Sequence, residues 1–148
     1  MLWTIAIATT LGWAACSGGR NATTADYTPP LHYDGEEVSE LALLMRAMAA
    51  HADSVKAAIA RGAETPAKPA GIEQLLTATP TPGMHIDPIT FPTFGKDYQA
   101  KVEALYKAKG EGRTAAYNAL VQSCANCHGT HCPGPLMRIR NMYLTAGS

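Results

Sequence analysis

Leu41, Met45, Met48, Ala52, Val55 and Ile59 stand four, three, four, three and four residues apart. This spacing draws one continuous apolar stripe along a helix. A helix with such a stripe must bury it against other elements, so the stripe constrains the fold more than any other stretch. Asp34 followed by Glu37 makes a capping box, and Glu36 puts negative charge in the first turn. Arg61 and Gly62 make a stop. The predicted helix spans residues 36–61, a rod of nearly 40 Å at about 1.5 Å per residue.

The covering elements are expected to be helices too. Alanine is frequent, aromatic residues are few, and β-branched residues nowhere alternate with polar ones for long. A stretch with six prolines between Pro66 and Pro92 follows the first helix. Within it only Ile72 to Thr77 leaves room for a helix, and a short one. The rest reads as ordered loop, with Ile86, Ile89, Phe91 and Phe94 as apolar anchors. A further helix is expected from Lys96 to Lys109, ended by Gly110. The last long helix starts near Arg113 or Thr114. On it Tyr117, Leu120, Val121, Cys124, Cys127 and His128 share one side. The expected fold is all-α: a four-helix-bundle-like domain over residues 34–148, with a short second helix and a long Pro-rich central loop.

The last helix carries "CANCH", residues 124–128. Cys124, Cys127 and His128 occupy positions i, i+3 and i+4, which face the same way. Two thiols one turn apart suit the two vinyl groups of a haem, and the adjacent imidazole reaches the iron from the same face. C-x-x-C-H therefore reads as attachment of one covalent haem c, with His128 as proximal iron ligand. Other readings stand beside it. Cys-x-x-Cys can be a thiol–disulfide pair, though such pairs usually open a helix after a strand. Cys124, Cys127, His128, His131 and Cys132 hold enough ligands for tetrahedral zinc, but all within nine residues. A five-residue pattern can also arise by chance.

The N-terminus fits this motif independently, because c-type haem is attached outside the cytoplasm. Leu2 to Ala15 is nearly all apolar, yet shorter than the roughly 20 residues of a membrane span. Residues 1–16 read as a secretory signal, with Cys16 where a lipoprotein signal places its lipidated cysteine. Residues 17–33 read as a flexible tether. A periplasmic or envelope-anchored protein is expected, held to the membrane through Cys16 if that residue is lipidated. Cys132 could pair with Cys16 if that residue is not lipidated, or stay a buried thiol.

Lys plus Arg and Asp plus Glu both number 12, which argues against a nucleic-acid partner. Glu111 is the last acidic residue, so the end with Arg113, Arg138 and Arg140 is locally basic. That basicity is either scatter or a surface for an acidic partner or bound anion.

A haem motif at the end of the last helix, behind an Ala-rich helical chain, resembles the class II c-type cytochromes: cytochrome c′ and its low-spin, methionine-ligated relatives. The resemblance covers roughly residues 36–62 and 94–131. It implies a four-helix bundle with haem near its C-terminal helix. It implies an electron carrier and not an enzyme, with redox protein partners in the cell envelope; the sequence leaves the oligomeric state open, with a homodimer among the options. It also implies a distal methionine on the first helix. Met45 is the preferred ligand, Met48 shares its face, and His51 lies beside the stripe. Both methionines could instead simply fill the core. Met84, His85, Met137 and Met142 are outsiders, and His131 is expected to face solvent. The resemblance carries no propionate partner, because the next basic side chain after His128 is Arg138. An open distal site would make the chain a cytochrome c′-like binder of nitric oxide or carbon monoxide. The zinc alternative would make it an interaction lipoprotein.

Overall fold

The apolar stripe becomes α1, Glu40–Ala60, in the computed structural model, which describes residues 32–33 and 36–145. The signal segment with Cys16, most of the tether and Asp34 lie outside the described residues. His32–Tyr33 (β1) and Glu36–Glu37 (β2) pair as a minimal antiparallel ladder. Glu36 and Glu37 therefore do not open the helix as the capping box anticipates. Ser39 caps it instead, its Oγ accepting from the Ala42 amide. At the other end the Gly62 amide bonds the Ile59 carbonyl and the Ala63 amide the Ala58 carbonyl. Gly62 supplies the left-handed φ of +63° that this pair of bonds requires.

The buried face of α1 is Leu41, Leu44, Met48, His51, Ala52, Val55 and Ala58. This is the expected stripe turned by a fraction of a residue. Met45 and Ile59 move to its edge and His51 moves in.

Residues 63–89 are tied down along their length. Tyr106 donates to the Pro66 carbonyl, and the Leu41 amide donates to the Thr79 carbonyl. The Glu40 carboxylate accepts from both the amide and the hydroxyl of Thr79, which holds its pKa below the usual range. The expected short helix is a single 3-10 stretch, Ile72–Leu76, which buries Leu75. It sits close on the next long helix because Gly95 has no side chain there. A Cβ at Gly95 would collide with the end of the Leu76 side chain.

That next helix, α2, spans Thr90–Lys107 and so starts six residues before the expected Lys96. Pro92 is no obstacle in a first turn, where its missing amide has no helical partner anyway. Asp87 makes the start: its Oδ1 accepts from the Ile89 amide, the Thr90 amide and the Thr90 hydroxyl. Those bonds hold the Asp87 pKa down. Ile89 is exposed and anchors nothing, whereas Phe91 is buried.

Gly110, at φ +52°, turns the chain into α3, Gly112–His131. α3 lies at the centre and packs against α2, α1 and α4. α4, Leu136–Arg140, is an element the sequence reading lacks. The tail beyond it is pinned to α3. Tyr117 donates to the Met142 carbonyl at 3.0 Å, and Asn118 exchanges two bonds with the Leu144 backbone. Lys56 of α1 donates to the Asn141 carbonyl. Tyr117, Leu120, Val121, Val55 and Leu105 are almost wholly buried, each contributing about 1.5–3 kcal/mol by leaving water. The fold is all-α, with four helices among the described residues. None of them is long and apolar enough to cross a membrane.

Candidate functional site

A cleft with two lobes runs between α1, α2, α3 and α4. The larger lobe encloses about 180 Å³ and the smaller about 30 Å³. Met45, Met48, Tyr98, Cys124 and His128 border both. α1 supplies the methionines and α3 supplies Cys124 and His128, so the two sequence features with the most information meet here. Phe91, Phe94 and Leu75 close the smaller lobe, and Ile139 and Met142 close the larger. The lining is overwhelmingly apolar, which suits a hydrophobic ligand.

The three motif residues behave differently. Cys124 is largely buried against the core, and its thiol pKa is pushed up to about 12, first by burial and then by Cys127. Burial, followed by the nearby Cys132, also raises Cys127. A redox-active Cys-x-x-Cys has its attacking thiol lowered. These thiols instead stay protonated at neutral pH, which weighs against the disulfide-exchange reading.

His128 Nδ1 donates to the carbonyl of Cys132 at 2.9 Å. The α3 C-terminus makes this bond available, since its last carbonyls have no helical partner. In the neutral ring it puts the proton on Nδ1 and leaves the lone pair on Nε2. Among the described residues nothing hydrogen-bonds that Nε2, and the ring lines both lobes. A ring oriented through its other nitrogen is the usual state of a metal-ligating histidine.

Met48 is buried and Met45 half-buried, and both border the cleft with His128. His51 does not border it. His51 is buried beneath Tyr106, its Nε2 2.8 Å from the Tyr106 hydroxyl. The structure therefore removes His51 from the ligand candidates.

His131 does not simply face solvent. Its ring meets the edges of Phe91 and Phe94, with Nε2 3.2 Å from the Thr90 hydroxyl. Among the described residues no three His, Cys, Asp or Glu side chains come together as metal ligands, so the five-residue zinc set is not assembled. Cys132 is a free, half-buried thiol just past α3.

Sequence reasoning missed three parts of the site. Met142, taken as an outsider, is buried and lines the larger lobe, while Met84, His85 and Met137 stay outside both. Tyr98 of α2 lines both lobes, and no motif in the sequence marks it. α4 was absent, though the Pro-Gly-Pro turn before it and the apolar pair Leu136 and Ile139 were signals. No protein family, curated protein or solved structure matches this chain.

Proposed function

We propose that the chain is an exported monohaem c-type cytochrome that carries single electrons. The observation that carries this reading is the cleft: Cys124, Cys127 and His128 reach it from one helix, and Met45 and Met48 border it from another. The donor set fits the group. Two protonated thiols and an imidazole with a free Nε2 stand on one side of an apolar space. Bound haem would supply an iron that cycles between ferrous and ferric states.

The chain's own residues do the rest. Cys124 and Cys127 anchor the cofactor. The Cys132 carbonyl orients His128, which serves as proximal ligand. Met45 serves as distal ligand; it is half-buried and less fixed in the core than Met48, so its thioether can turn into the cleft. Phe91, Phe94, Leu75 and Ile139 exclude water and keep reorganisation small. No substrate is transformed. The haem reading brings export with it, because thioether attachment occurs outside the cytoplasm; residues 1–16 would serve as signal and Cys16 as lipid anchor. Redox proteins of the envelope are the partners. The chain's resemblance to class II c-type cytochromes remains part of this reading.

Expression with a haem-maturation system and a signal sequence tests it. The expected product stains for haem on a denaturing gel, gains the mass of one haem, and shows a low-spin reduced-minus-oxidised spectrum. A colourless product of unmodified mass overturns the reading. A high-spin resting spectrum moves the function to binding of nitric oxide or carbon monoxide.

A further inference from the structure

The cleft is apolar except at one end. Arg46 and Arg138 are the charged side chains of the larger lobe, and the smaller lobe has none. Arg46 projects from α1 beside Met45. No carboxylate pairs with it among the described residues. Arg138 reaches the same lobe from α4, its Nη2 2.8 Å from Asp53 Oδ2. That pair is exposed on both sides, so it orients Arg138 more than it stabilises the fold. Cys127 borders only the smaller lobe, which neither arginine lines, while Cys124 and His128 border both lobes.

An apolar ligand carrying carboxylates needs this division. A carboxylate entering an apolar cleft is costly unless a cation meets it. Guanidinium meets carboxylate with two parallel hydrogen bonds, and it remains charged at every relevant pH. A haem has its two vinyl positions and its two propionates on separate parts of its edge. We propose that Arg46 and Arg138 form the carboxylate-binding end of the cleft, each holding one propionate of the haem anchored at Cys124 and Cys127. This rests on the haem reading above. It gives the propionates partners drawn from two helices, α1 and α4.

Holoprotein variants Arg46→Gln and Arg138→Gln test it, with Arg61→Gln as control for loss of a positive charge outside the cleft. Haem content is measured first, then the midpoint potential. Removing a cation that pairs a propionate favours ferric iron, so both cleft variants are expected to fall in potential clearly below Arg61→Gln. Arg46→Lys and Arg138→Lys, which keep the charge, are expected to recover most of the fall. Cleft variants that carry full haem and shift no further than Arg61→Gln overturn the assignment and leave the haem reading standing. Wild-type protein without haem overturns both.

Discussion

His51 Nε2 lies 2.8 Å from the Tyr106 hydroxyl, which in turn donates to the Pro66 carbonyl at 2.6 Å. The carbonyl can only accept, so the one phenolic proton is committed to it. The His51 ring must then donate from Nε2, which leaves Nδ1 unprotonated. Nδ1 is buried with no hydrogen-bond partner. This relay joins α1 to α2 and to the first turn of the Pro-rich loop; protonating the ring would keep the Nε2 bond but would bury a charge and an Nδ1–H with no acceptor.

Acid should therefore loosen the fold. Burial lowers the His51 pKa below its ordinary 6.5. Between the lowered value and 6.5 the unfolded chain binds more protons than the folded one, so stability falls as pH drops through that window. The urea midpoint is expected to be flat near about pH 7 and to decline below about 6.5. In His51→Gln the decline over the same range should be smaller. An equally steep decline in the variant would remove His51 as its cause.

Tyr106→Phe breaks both bonds of the relay and leaves the His51 Nε2–H buried without an acceptor. A buried donor stripped of its partner costs about 1–3 kcal/mol. Equilibrium unfolding should show a loss in that range. A loss below about 0.5 kcal/mol, within the range of ordinary surface changes, would mean that the relay contributes nothing.

The relay also marks where the sequence stops being legible. The stripe of α1, the Gly62 and Gly110 stops and the shared face of Cys124, Cys127 and His128 follow from spacing within a few residues, and all are readable. His51 is one residue off the stripe, and its burial depends on Tyr106, 55 residues away. Pro92 reads as a breaker until Asp87 is seen to cap the turn around it. α4 has five residues, too few for helical periodicity to register or for a helix to stand alone. It packs against α3, and the Arg138–Asp53 pair links it to α1. The thiols and the imidazole of the site were therefore predictable, and the fourth wall of the cleft was not.

The two methionines separate by stability as well as by spectrum. Met48 is 7% exposed and packs in the core, so Met48→Ala should cost about 2–5 kcal/mol. Met45 is half-buried at the cleft edge, and Met45→Ala should cost less than about 1.5 kcal/mol. If Met45 is the distal ligand, the ferric methionine-to-iron charge-transfer band disappears in the more stable of the two variants. Its persistence in Met45→Ala and loss in Met48→Ala would hand the role to Met48.

Cys132 gives the sharpest control on the motif. Its backbone carbonyl, not its thiol, holds His128. Cys132→Ser keeps that carbonyl and should leave haem content, spectrum and potential as in the wild type. On the proposed haem reading, Cys127→Ser removes one of the two anchoring thiols, so the haem should hang from a single thioether and show the red-shifted pyridine haemochrome that one unsaturated vinyl group produces. A change of that kind in Cys132→Ser, with none in Cys127→Ser, would mean that Cys132 is the second anchor and that the assignment of the pair Cys124 and Cys127 is wrong.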